Sequence, residues 1–174
     1  NDIERTDASL TATWEVNDAL TIKSISGYQD LDSHVLGDTD TTPSNLVVSN
    51  FPVWSKTWSQ EFNFQTSAFN DRLQTVAGLY YLHDRLGARK RVPVGYLAVL
   101  RVLPLSVALD PGLGFDFDQL ATSYAAFLDA TYSVTDRFRL TAGMRQTWEE
   151  KEFSQVNVLG LTTTCNRSDE LKYD

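Results

Sequence analysis

Apolar and polar residues alternate in period two along most of the chain. From Ser9 to Val16, Leu10, Ala12, Trp14 and Val16 share one parity, and Ser9, Thr11, Thr13 and Glu15 the other. Such alternation, rich in β-branched and aromatic residues, predicts a strand. Asn17-Asp18 then offers turn chemistry, since short Asx side chains bond their own backbone in tight turns. A second, less clean strand is expected over Leu20 to Leu31, with Leu20, Ile22, Ser24, Ser26 and Tyr28 in one register. The same reading gives strands over Thr57 to Thr66 (Trp58, Phe62 and Phe64 together), Leu73 to Asp84 (Val76, Gly78, Tyr80 and Leu82 together), Thr122 to Val134 and Phe138 to Lys151. In the last two, Tyr124, Ala126, Leu128, Ala130 and Tyr132 share one parity, as do Phe138, Leu140, Ala142, Met144 and Trp148. No stretch carries a persuasive helical period, and after Glu152 the sequence reads as loop.

The connections alternate short and long. The turns at Asn17-Asp18, Ser67 to Arg72 and Thr135 to Arg137 are brief, whereas Asp32 to Lys56 and Arg85 to Ala121 exceed the usual length of a structureless loop in a compact domain. Transmembrane barrels have this asymmetry, and strands of about nine to fourteen residues suit a bilayer crossing of roughly 9–11. On the apolar register Trp14, Tyr132 and Phe138 sit beside the short turns, and Tyr28, Trp58, Tyr80, Tyr124 and Trp148 beside the long loops. Leu10, Ile22, Phe62, Val76, Leu128, Leu140 and Met144 lie between, with no Asp, Glu, Lys or Arg. This predicts a lipid-facing band with an aromatic belt at each rim. A soluble β-sandwich or lipocalin-like barrel, whose apolar face would be its core, is the competing reading.

Composition narrows the field. A net charge of −8 gives no basic face for phosphates, which argues against a nucleic-acid partner. Cys165 is the sole cysteine, so no disulfide forms within the chain. The longest nearly apolar stretch, Val92 to Leu100, is interrupted by Gly95 and flanked by Arg91 and Arg101, well short of the ~20 residues of a helical span. The opening Asn1-Asp2-Ile3-Glu4-Arg5 has no signal-peptide character. His34 in a loop and His83 at the inward register of a strand end lack a partnered nucleophile or acid, and Cys165 has no metal-ligand neighbours at suitable spacing. The expectation is therefore no enzyme, no metal and no cofactor.

The runs Leu20 to Asp32, Trp58 to Thr66, Val76 to Asp84 and Ser123 to Phe153 resemble, in order and spacing, the barrel of TonB-dependent outer-membrane receptors. Ser59-Gln60-Glu61 after an aromatic, Ala77-Gly78-Leu79-Tyr80-Tyr81 and Leu140-Thr141-Ala142-Gly143-Met144-Arg145 carry most of the likeness; Asn63 stands where the family commonly has a basic residue. The resemblance implies an all-β, antiparallel up-and-down transmembrane barrel of 22 strands, of which residues 1–174 would be an internal fragment of about six strands in three hairpins. It implies a plug domain absent from these residues, a monomeric receptor in the bacterial outer membrane and energised import through the TonB complex, most often of a ferric siderophore. A passive porin is the nearer alternative, and a soluble all-β ligand-binding domain the more distant.

Glu61, Asp129, Arg139, Arg145 and Glu149 take the parity opposite the apolar band and are candidates to face the lumen and plug, or else to pair within the wall. Arg85, Arg89, Lys90 and Arg91, with Phe115 and Phe117, are expected in an extracellular loop. There the basic run could meet lipopolysaccharide phosphates or an anionic ferric chelate, or stay solvated, and the phenylalanines could cap a ligand or pack locally. A free Cys165 thiol is either inert or paired outside these residues.

Overall fold

A computed structural model describes residues 2–38, 48–92, 113–159 and 165–173. These form one antiparallel sheet of seven strands in chain order: β1 (Asp2–Asn17), β2 (Leu20–Asp38), β3 (Val48–Ala68), β4 (Leu73–Val92), β5 (Leu113–Thr135), β6 (Phe138–Leu159) and β7 (Cys165–Tyr173). Every strand pairs with its sequence neighbour, so the topology is the up-and-down one the alternation implies. The strands differ from the sequence reading in two ways. The polar stretch after Glu152 continues β6 and contributes β7. Strands β2 to β6 also run well past their expected limits, reaching 19 to 23 residues.

Apart from one or two residues at the turn ends of β3 and β5, that extra length lies at one end, the far end at which β2, β4 and β6 finish. The opposite end is closed by the tight turns. At the first, Asn17 Oδ1 accepts the Ala19 amide at 2.9 Å, the Asx geometry expected there. At the third, Thr135 Oγ1 accepts the Phe138 amide at 3.0 Å. The second turn places Phe69, Asn70 and Asp71 in the left-handed region (φ 56, 55 and 62°), and Ser67 donates its hydroxyl to the Asp71 carboxylate. Register shifts at Glu15/Asn17 and Ser133/Thr135 act as bulges beside the other two turns, where the added twist lets a strand enter a short connection.

The sheet has two chemically distinct faces and no covered core. Among the described residues the buried apolar side chains are Ala88, Ala121 and Ala125, and no large side chain is fully buried. Backbone ladders and cross-strand pairs hold this layer together.

Candidate functional site

On one face, register carries apolar side chains across six strands. Leu10, Ala12 and Trp14 of β1 lie opposite Ser26, Ser24 and Ile22, which lie opposite Gln60, Phe62 and Phe64. Phe62 and Phe64 lie opposite Leu79 and Ala77 of β4, which meet Ala126 and Leu128, and these meet Gln146 and Met144. The polar members of the band satisfy one another: Ser26 donates to Gln60 at 2.6 Å, and Gln60 donates to Ser24 at 2.9 Å. Toward the far end the band closes with an aromatic row. Tyr28 sits opposite Trp58, Trp58 meets Tyr81 edge-on at 5.5 Å, Tyr81 meets Tyr124 at 5.1 Å, and Tyr124 sits opposite Trp148. Trp14, Tyr132 and Phe138 mark the turn end.

Ten residue steps separate Phe138 from Trp148, or ~33 Å of strand at ~3.3 Å each. At a ~40° tilt this is a band ~25 Å tall, the height of a barrel's apolar girdle. The band lies bare, with Met144 73% and Leu10 70% exposed. A sandwich would cover such a face with a second sheet; the described residues make only one.

The phase of β4 departs from the sequence reading. Val76 and Tyr80 were expected in the band, but they lie opposite Gln65 and Glu61 on the polar face. Ala77, Leu79 and Tyr81 take their place in the band. His83 moves with them: instead of the inward register it sits opposite Trp58 on the apolar face, its Nδ1 3.3 Å from Thr122 Oγ1.

The polar face brings Glu61, Asp129, Arg139, Arg145 and Glu149 together on one side of the sheet. Most are engaged within the wall. Asn63 donates to Glu61 at 2.8 Å, so a neutral amide fills the place of a basic partner. Glu149 binds Lys151 at 2.9 Å, and the Asp129 carboxylate lies over the bare backbone of Gly143. The Arg145 guanidinium rests on two rings, Tyr80 at 5.4 Å and Phe127 at 5.7 Å, with Nε reaching Thr147. Phe127 lies flat across Gly78, where a Cβ would come within 2.2 Å of Cζ. Arg139 lies opposite Ser133, near the turn end.

Beyond the aromatic row, Arg85 to Val92 and Leu113 to Ala121, both expected as loop, pair as a continuous β4–β5 ladder. Arg85, Arg89 and Arg91 stand on the extension of the apolar face, where acids from β5 answer them. Arg91 grips Asp116 with two nitrogens at 2.7 Å each, Arg89 adds a third contact at 3.2 Å, and Arg85 lies 3.6 Å from Asp118. Hydrogen bonding from Arg91, reinforced by the charges of Arg91 and Arg89 against a smaller cost of burial, holds the Asp116 carboxyl below its ordinary range. Lys56 and Asp30 pair at 3.2 Å on the same side. The three arginines of the basic run thus form a cross-strand ion-pair row, a pairing that the sequence reading did not weigh for them.

Lys90 alone of that run falls on the polar face, opposite Phe115. Phe115 and Phe117 join Phe51 and Phe153 in one row of rings: Phe51 to Phe115 at 6.3 Å, Phe115 to Phe117 at 6.1 Å and Phe117 to Phe153 at 5.8 Å. Ala88, with no exposed surface, pairs with Phe117 in the middle of the row. Phe51 and Phe153 escaped the sequence reading because both lay in stretches taken as loop; their parity, shared with Glu61 and Glu149, was the available signal. The Cys165 thiol lies outside the described side chains. No group of three metal-ligating residues occurs among the described residues.

A family model, TonB dependent receptor-like, beta-barrel, matches residues 1–170. No curated protein matches the chain. Among solved structures, the fold is similar to that of the ferric yersiniabactin uptake receptor FyuA of Yersinia pestis, with a TM-score of 0.73 at 18% identity over 97% of this chain and 24% of that one. It is similar as well to the open form of the ferric-catecholate import receptor Fiu of E. coli K12 (TM-score 0.59, 14% identity, 98% of this chain, 32% of that one). The unliganded ferric citrate transporter FecA gives a TM-score of 0.59 at 15% identity over 98% of this chain and 24% of that one. The chain therefore spans about a quarter to a third of the length of these receptors. With an up-and-down sheet, one uncharged face between aromatic rims and a family match over nearly all its residues, the chain belongs to the β-barrel family of TonB-dependent receptors, which are transporters and not enzymes.

Proposed function

We propose that the chain is part of the barrel wall of a bacterial outer-membrane receptor that imports a ferric siderophore by energy drawn through the TonB complex. The observation that carries this reading is the uncharged band, ~25 Å tall, that crosses six paired strands between two aromatic rims. A single Arg or Lys at its midplane would cost ~2–4 kcal/mol, which accounts for the lack of charge there. With the band against lipid, the polar face becomes the lumen wall, and Glu61, Asp129, Arg139, Arg145 and Glu149 face a plug domain. Arg145 is the best placed of these for a plug carboxylate, because rings support its guanidinium and no acid within the described residues neutralises it.

The far-end extension then stands outside the bilayer. Its outward ion-pair row of Lys56, Arg85, Arg89 and Arg91 with Asp30, Asp116 and Asp118 lies level with lipopolysaccharide headgroups. Asp116 serves two arginines, and the guanidinium fork suits the bidentate contact that a headgroup phosphate offers. The test is growth of an iron-starved Gram-negative strain that lacks its own receptors and carries the full-length gene. Growth on ferric siderophores that requires an intact TonB supports the reading. Uptake that persists without TonB, and scales only with the size of the solute, would overturn it in favour of a porin.

A further inference from the structure

Among the described residues, Phe51, Phe115, Phe117 and Phe153 make three consecutive ring contacts on the polar face. Elsewhere on the polar face single apolar side chains such as Val76, Leu82 and Phe127 stand among Ser, Thr, Gln and charged residues, whereas here four half-buried rings from β3, β5 and β6 run together, near the far end, on the side away from the apolar band. An apolar patch on a water-facing surface marks a contact site. Charge on this patch is sparse. Lys90 lies directly opposite Phe115, and by the register between Asn50↔Arg91 and Val53↔Ala88 it also lies opposite Phe51. Its ammonium has no ion-pair or hydrogen-bond partner among the described residues. The three neighbouring arginines project from the other face and are tied to Asp116 and Asp118, while Lys151 is tied to Glu149.

The geometry points to a platform for an aryl iron chelate, of the phenolate or catecholate kind, with its rings against Phe115 and Phe117 and an anionic edge toward Lys90. This rests on the reading of the chain as receptor wall and deepens it by naming the class of cargo. Rings favour offset or edge contact with other rings, and a lone ammonium serves one anionic edge as a point charge. A polycarboxylate chelate has no ring to offer and several charges to satisfy, and among the described residues of this patch it would find a single cation without an ion-pair partner.

The experiment measures binding to the full-length receptor in detergent by titration calorimetry, with ferric 2,3-dihydroxybenzoate, ferric salicylate, ferric citrate and ferric desferrioxamine as probes. The two aryl chelates are expected to bind at least about tenfold more tightly than citrate or the hydroxamate. Phe117→Leu, which keeps apolar bulk and removes the ring, is expected to weaken aryl binding about five- to tenfold and leave the heat-modifiable band of the folded barrel unchanged. Lys90→Gln is expected to weaken aryl binding and flatten its salt dependence. Citrate or the hydroxamate binding as tightly as the aryl chelates, or aryl binding indifferent to Phe117→Leu, overturns the platform while the receptor reading stands. Iron-free 2,3-dihydroxybenzoate bound in a Phe117-dependent way, with no iron chelate bound, upholds an aryl platform and removes the iron-import reading. No binding by any probe overturns both.

Discussion

Gly78 shows how much one missing side chain can arrange. Its bare backbone lets Phe127 cross β4 flat, and Phe127 with Tyr80 then supports Arg145. Covering a strand glycine with a cross-strand ring also protects a backbone that would otherwise be poorly packed. In Gly78→Ala the new methyl would meet Phe127 Cζ at 2.2 Å and Asn63 Oδ1 at 2.8 Å, so the ring must lift. The expected loss is about 1–3 kcal/mol, typical of overpacking. Urea unfolding of the detergent-solubilised protein would measure it, and a double-mutant cycle with Phe127→Ala should show coupling of the two sites. Asp116 gives a second test. Because its folded pKa lies below the ordinary 3.8, its ion pairs stabilise the fold at every pH above that value and are lost as pH falls through the lowered one. Asp116→Asn should therefore cost something under about 1 kcal/mol at neutral pH, since the pair is partly solvated. The gap from wild type should close in acid; a gap that widened in acid would contradict the assignment.

At the scale of the element, β4 is the instructive strand. Its sequence Val76-Ala77-Gly78-Leu79-Tyr80-Tyr81-Leu82 is apolar on both parities, so alternation alone leaves its phase open. Pairing settles it: Leu79 lies between Phe62 and Ala126, and Tyr80 lies opposite Glu61. A slip of one residue would exchange the two faces along the whole strand. Leu79→Arg should therefore cost ~2–4 kcal/mol as a charge at the middle of the band, and Val76→Arg on the opposite face should cost far less. Equal costs for the two would mean that the phase is wrong. The strands that were legible, β1, β5 and β6, have one clean apolar parity and turn residues that fix their ends. The far-end extensions were not legible, because Arg85 to Val92 and Leu113 to Ala121 are crowded with charge, glycine and aromatic residues. They hold as strand because Arg91 finds Asp116 twenty-five positions away and Phe115 finds Phe51, pairings that no local window displays.

At the scale of the molecule, a sheet with one bare apolar face and two open edges should not persist alone in water. The isolated chain is expected to aggregate in buffer and to regain β-structure in detergent or lipid. Circular dichroism with sedimentation would show this, and a monomeric, cooperative fold in plain buffer would sink the membrane reading. The architecture itself was determined by sequence. Period two, the uncharged parity of β1, β5 and β6, the aromatic positions at strand ends and the alternation of turns with long connections together specify an up-and-down barrel wall. Such features are intrinsic to a strand or its turn, so each is written locally. What only the tertiary structure decided is relational: the phase of β4, the reach of the strands past the aromatic row, the pairing of the arginines on one face, and the meeting of four phenylalanines with Lys90 on the other. Each depends on which residue of one strand lies opposite which residue of the next, and that register is set by the sheet as a whole.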